Sequence, residues 1–227
     1  MKQTDLAILL HRISYSESSV IVSYYTKSRG IQKFLYQGGK KKASALFPLN
    51  ICEIVYYQRI DSELGKLTEV QSLSNLDGIL THPIKSTIAF FVADILKQTL
   101  KTNQSEEQLF EFLCSEIELL NAQEQLSLFP IQFLAKYTEF IGIAPQLIEN
   151  PRYFNLMEGE FHSDYRWGEV EIDPILCAQL LAVFENKNPD KKYRKELFQI
   201  LIHYYKIHTP RFDISQSLQI IEEVLYN

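Results

Sequence analysis

"DGILTHP", residues 77–83, separates two hydrophobic periods in this 227-residue chain. Upstream of it, β-branched and aromatic residues gather in short runs parted by turn residues, which is the pattern of strands. Downstream, apolar residues return every three or four positions, which is the pattern of helices. A single change of period at a stretch holding Gly78 and Pro83 predicts an α+β protein, with a strand domain at residues 1–80 and a helical domain at residues 81–227.

The strand half divides into five expected strands, at residues 6–13, 20–26, 31–37, 51–60 and 67–73. "SYSESS" and "KSRG" part the first three, and a longer excursion follows the third. That spacing fits a small barrel, and equally an SH3-like barrel or a plain five-stranded meander. In the helical half, "PIKSTIAFFVADILKQTL" places Ile84, Ile88, Phe91 and Ile95 on one apolar face behind Pro83, a suitable first helical residue. Ser105 with Glu106, Glu107 and Gln108 reads as a capping box opening the next helix. A third helix runs from about Pro130 to Gly142 with Phe133, Leu134, Tyr137 and Phe140 inward. The alternation around "MEGE" predicts a small hairpin inserted near residues 152–170. Helices resume at "DPILCAQLLAVFEN", with Asp173 as cap, then at "KELFQILIHYYKIH" and "SQSLQIIEEVLY".

Composition excludes several classes. Cys52, Cys114 and Cys177 lie 62 and 63 positions apart, which is neither a disulfide framework nor a metal-ligand spacing. They read as reduced, packed thiols. The apolar opening is interrupted at His11 and Arg12, too short for a secretion signal or a membrane span. A soluble, cytoplasmic protein is expected, with no membrane partner.

No catalytic chemistry is legible. Gly39-Lys40 has Phe34 where a phosphate-binding loop needs glycine and Lys41 where it needs Ser or Thr. His203 and His208 are five residues apart, about 140° around a helix, so they do not share a ligand from one face. Glu158 and Glu160 flank a turn and read as solvated. Neither catalytic nor metal-ligating residues nor a cofactor is predicted, and the protein is not expected to be an enzyme.

Charge distribution is more informative than the net charge of -5. Residues 1–80 hold ten Lys or Arg against seven Asp or Glu, so the rest of the chain carries thirteen against twenty-one. Between Glu17 and Glu53 there is no acid, while Lys27, Arg29, Lys33, Lys40, Lys41 and Lys42 supply six cations. Such a field favours a polyanion. Non-specific nucleic-acid binding uses cations for phosphates and flat rings for bases. Tyr24, Tyr25, Phe34 and Tyr36 lie among these cations, and Tyr36 is a candidate beside Lys27 and the others. Strand alternation puts Ile31, Lys33 and Leu35 on one face and Gln32, Phe34 and Tyr36 on the other, so only some rings can be free. The competing reading has the rings filling the barrel and the lysines solvating a long turn.

"ILLHRISYSESSVIVSYYTKSRGIQKFLYQGGKKKAS", followed by "FPLNICEI", resembles the amino-terminal region of the bacterial recombination-mediator family RecO. "LIHYYKIHTPRFDISQSLQIIEEVL" resembles the family's ending. The resemblance implies a five-stranded OB-fold barrel followed by a mostly helical domain. It also implies binding of single- and double-stranded DNA, strand annealing, and work with RecR and single-stranded-DNA-binding protein to let RecA load at gaps, with nucleoid association during repair. Arg29, Lys33, Lys40, Lys41 and Lys42 fall on family positions expected to contact phosphates. For the partner's acidic carboxy-terminal tail, Lys195, His203, Lys206 and Arg211 could meet carboxylates beside Leu201, Ile202 and Tyr205. One family feature is missing: "YFNLMEGEFHSDYRWG" has no cysteine where many members carry a four-cysteine zinc module. A protein-interaction adaptor with an OB-like barrel and no direct DNA role is the alternative, and an undetected hydrolase is a third.

Overall fold

The computed structural model describes residues 2–42, 45–59, 62–101, 104–165 and 171–226, with the backbone alone at residues 41, 42 and 171. The chain forms two compact units, Met1–Gln123 and Glu124–Asn227.

The first unit is built on five strands, β1 (Lys2–Ser14), β2 (Val20–Thr26), β3 (Gly30–Tyr36), β4 (Ile51–Tyr57) and β5 (Leu64–Ser72). They close into a barrel in the order β1-β2-β3-β5-β4, with β3 and β5 parallel and the other pairs antiparallel. This is the five-stranded OB-fold barrel, and the parallel β3–β5 closure separates it from a meander. Residue 60, at the end of the expected fourth strand, lies outside the described residues.

Alternation along "GIQKFLY" decides which side chains fill the barrel. Gln32, Phe34 and Tyr36 are buried, while Lys33 is exposed and Ile31 and Leu35 are half-buried. Phe34 packs 4.7 Å from Tyr56 and 6.3 Å from Tyr24, ring centre to ring centre. Gly65 faces Phe34 across the sheet, and a Cβ there would stand 2.6 Å from its ring, so the aromatic fits because its partner has no side chain. Burial pushes the Cys52 thiol up to about 12, in keeping with a neutral packed sulfur. Cys52, Cys114 and Cys177 are all free thiols.

β1 buries four successive residues, Ala7 to Leu10, which a half-exposed strand would not do. Ala7 and Leu9 point into the barrel core, and helix α2 (Pro83–Thr99) packs on β1 from outside. Tyr25, on the outside of β2, is 1% exposed and stacks on Phe110 of helix α3 (Glu107–Ala122) at 6.1 Å. A short helix α1 (Asp77–Leu80) precedes α2, and Asn121 ties the three together. Its side-chain oxygen accepts from the Ile79 N–H at 3.0 Å and its carbonyl from Lys85 Nζ at 2.7 Å. The barrel is thus sheathed on its β1–β2 side by the helices that follow it.

The expected capping box at Ser105 does not form. No side chain caps α3; the Ser105 hydroxyl donates instead to the Lys27 carbonyl, and the Tyr25 hydroxyl accepts from the Glu106 N–H at 3.3 Å. Long-range partners displaced the local one. The same docking explains Gly30. Its φ is +67°, and a Cβ would stand 2.2 Å from the Gln104 carbonyl oxygen. Gly30→Ala combines a left-handed strain with a backbone clash, so a loss of about 2 kcal/mol or more is expected in urea unfolding. Gly38→Ala, with φ +73° and open space around it, should cost only the strain.

The second unit packs helices α4 (Phe129–Ile141), α5 (Pro174–Phe184), α6 (Arg194–His208) and α7 (Ser215–Tyr226) with a small sheet. Gly142, at φ 74°, ends α4, and the Asp173 carboxylate caps α5 by accepting from the Ile175 N–H at 2.9 Å. The predicted hairpin is present as β6 (Tyr153–Asn155) and β7 (Glu160–His162), and β8 (Glu171–Ile172) pairs on the other side of β6. Residues 166–170 of the expected insertion lie outside the described residues. Asn155 Oδ1 accepts from the N–H groups of Met157 and Glu158, fixing the turn. Tyr205, fully buried, donates to the Leu134 carbonyl at 2.8 Å and joins α6 to α4.

The change of period at residues 77–83 falls where the strands end. The division into compact units falls later, because α1, α2 and α3 complete the barrel's outside.

Candidate nucleic-acid interface

"YQGGKKKAS" leaves the barrel at the end of β3. Gly38 turns the chain through positive φ, and Gly39 lies so close to the core that a Cβ would meet Val20 Cγ2 at 2.7 Å and the Tyr36 ring at 2.9 Å. A 3-10 turn, Gly39–Lys42, then begins, and Lys40 is exposed on it. The two glycines therefore let the chain hug the barrel end. Lys41 and Lys42 continue the turn with side chains outside the described residues, as are residues 43 and 44 altogether.

The other sequence candidates scatter. Lys33 stands exposed on the outside of β3. Arg29 is half-buried, with Nη1 donating to Gln58 Oε1 at 3.5 Å. Lys27 is committed elsewhere: its Nζ is 2.8 Å from Glu107 Oε1, a pairing that raises the lysine pKa and lowers that of the carboxylate. Its charge is locally neutralised, and it serves the docking of α3 first.

The aromatic expectation needs correction. Tyr36 is 3% exposed and belongs to the barrel core, and Tyr24, Tyr25 and Phe34 are buried as well. None of these rings presents a face to solvent for a base. Burial holds the Tyr24 phenol well above its ordinary pKa, as expected of a core hydroxyl. Strand alternation separates Lys33 from Phe34 and Tyr36, and the rings lie on the inner side.

A different ring is outside. Tyr57 is 47% exposed at the end of β4, directly after buried Tyr56. The doublet "YY" at 56–57 was the available signal, since consecutive strand residues point to opposite faces and one of the two had to be outward. Across the sheet, Tyr57 pairs with Lys66 on β5 and Lys2 on β1. Arg59 and Lys66 are exposed nearby and lie beyond Glu53, outside the acid-free window.

In the second unit, Lys195, His203 and Lys206 are exposed on α6. At 100° per residue they span an arc of about 80°. Arg211 follows Pro210, exposed, with φ 60°. The proposed apolar floor does not lie beside them. Leu201, Ile202 and Tyr205 are at most 3% exposed, because they face the helical core. Lys206 helps lower the Asp213 pKa, though the hydrogen bonds from Ser215 are the larger cause. Among the described residues no group of three His, Cys, Asp or Glu side chains is placed to hold a metal ion. Among them, too, no helix is long and apolar enough to cross a membrane.

Two family models match the chain, recombination protein O N terminal over residues 1–76 and recombination protein O C terminal over residues 80–216. It is 28% identical to a DNA repair protein RecO of Christiangramia forsetii over 96% of this chain and 97% of the relative. It is likewise 28% identical to a protein of that name from Bacteroides fragilis over 99% of both chains. A third so named, from Flavobacterium psychrophilum, is 28% identical over 96% and 97%.

Proposed function

The chain belongs to the recombination protein O family, and with it to DNA repair and recombination; from that premise we propose that its barrel binds single- and double-stranded DNA through the phosphate backbone. The observation that carries this reading is the acid-free run of cations between Glu17 and Glu53 on an OB barrel, with Lys33 and Lys40 exposed. Cations so placed release condensed counterions from phosphates without reading sequence. Neutralising two strands together lowers their mutual repulsion, which is the physical content of promoting annealing.

The role is that of a mediator and not of an enzyme. It pairs with RecR and with the acidic tail of single-stranded-DNA-binding protein so that RecA loads at gaps, in the cytoplasm and on the nucleoid. Lys195, His203, Lys206 and Arg211 are the cations offered to the tail's carboxylates. With Leu201, Ile202 and Tyr205 in the core, apolar contacts to the tail come from elsewhere on the unit.

Fluorescence anisotropy with labelled single- and double-stranded oligonucleotides across a salt series tests the reading. The logarithm of the association constant is expected to fall linearly with the logarithm of salt, by about 0.7 per phosphate contacted on single strands and about 0.9 on duplex. Repeating the titration with the tail peptide reports on the second unit. No binding at low salt, together with a tight protein complex, would favour the adaptor.

A further inference from the structure

The outer face of β3, β5 and β4 is the side of the barrel that α2 and α3 leave uncovered, and it holds a cavity of about 600 Å3. That size is within the ~300–1,000 Å3 of clefts that hold small organic ligands. Its lining joins β3 to the β4–β5 connection: Leu35, Tyr57, Arg59, Leu64 and Lys66. Register fixes the arrangement. Tyr57 lies opposite Lys66, Lys66 opposite Leu35, and Leu64 opposite Lys33. Tyr57 and Leu64 remain 47% and 42% exposed, so flat and aliphatic surface sits in water between cations. On its other side Tyr57 neighbours Lys2, whose ammonium is 3.3 Å from Glu69 in an exposed pair that competes little with a stronger anion.

We infer that this cleft is a base-stacking subsite for single-stranded DNA, with Tyr57 as the platform, Leu35 and Leu64 as its apolar floor, and Lys66, Arg59 and Lys33 on the flanking phosphates. The inference rests on the DNA-binding reading and narrows it. Every base has a π face, so a lone tyrosine beside cations accepts any sequence. In a duplex the bases are stacked on one another, so the ring has nothing to receive and the cleft contributes only its charges. The lysine turn after β3 would then hold either form of DNA, and the cleft would distinguish single strands from duplex.

The full-length chain and a fluorescein-labelled oligo(dT) provide the test, with a duplex of equal length as comparison. Tyr57→Ala is expected to weaken single-strand affinity roughly 5- to 100-fold, with an unchanged salt slope and duplex affinity within twofold of the unaltered protein. Tyr57→Phe should retain most of the affinity. Lys66→Ala should lower the single-strand salt slope by about 0.7. Tyr57 is half in solvent, so its replacement should leave the melting temperature close to the starting value; circular dichroism checks that. If Tyr57→Ala binds oligo(dT) like the unaltered protein, or loses both forms of DNA equally, the stacking subsite is wrong while the DNA-binding reading stands. If the unaltered protein binds neither form at low salt, both fail together.

Discussion

Replacing Lys40, Lys41 and Lys42 together by alanine is expected to reduce single-strand DNA affinity about 50-fold at physiological salt. Each phosphate contact contributes ~0.7 to the slope of log K against log salt, so three lost contacts remove about 2 from it. Variant and unaltered protein should converge near 1 M salt, where released counterions no longer favour binding. Extrapolated to 0.15 M, a slope difference of about 2 separates them by about 1.7 decades. The duplex should show a slightly larger difference, because its slope per contact is ~0.9. Gly39 of this turn lies against Val20 and Tyr36, whereas Lys40 is exposed, so the substitution should leave the barrel folded. A salt-dependent affinity that stays unchanged would assign the lysines to solvation of the turn.

The second large effect belongs to the barrel itself. Phe34 is 0% exposed, touches the rings of Tyr24 and Tyr56, and sits over a glycine. Phe34→Ala removes the ring between Tyr24 and Tyr56, and Gly65 has no side chain to move in. The expected cost is about 3–5 kcal/mol, a large share of the ~5–15 kcal/mol that holds a typical domain folded. In urea the midpoint for the first unit should fall by roughly 1–2 M with little change in slope. Lys33→Ala, one residue away on the outer face, should change stability by less than about 0.5 kcal/mol. The contrast between neighbours reads the two faces of β3 directly.

Strand positions were legible because each strand carries its own signal. β-branched runs bounded by turn residues placed β2 at residues 20–26 with both ends matching, and α7 at residues 215–226 likewise. The closure of the barrel was not legible, since the parallel β3–β5 pairing joins residues about thirty positions apart and leaves no local mark. The capping box failed for the same reason. Ser105 and Glu106 had a plausible local arrangement, and the Lys27 carbonyl and the Tyr25 hydroxyl offered them another. In the candidate interface, cation density marks β3 and the lysine turn as candidates, but it does not tell a ring that fills the core from one that faces water. Tyr36 and Tyr57 differ only in strand phase, and phase becomes certain only when a buried partner such as Phe34 is fixed.

The grip of α3 on the β2–β3 turn also bears on where the chain can be cut. A fragment ending at residue 80 would keep all five strands and the whole match to the amino-terminal family model. It would also strip the cover from Tyr25 and from the outer side of β1, and leave Lys27 without Glu107. Such a barrel would carry a greasy flank beside its basic one and would tend to self-associate. The compact unit runs to Gln123, so it extends past the residues 1–76 that the amino-terminal family model matches.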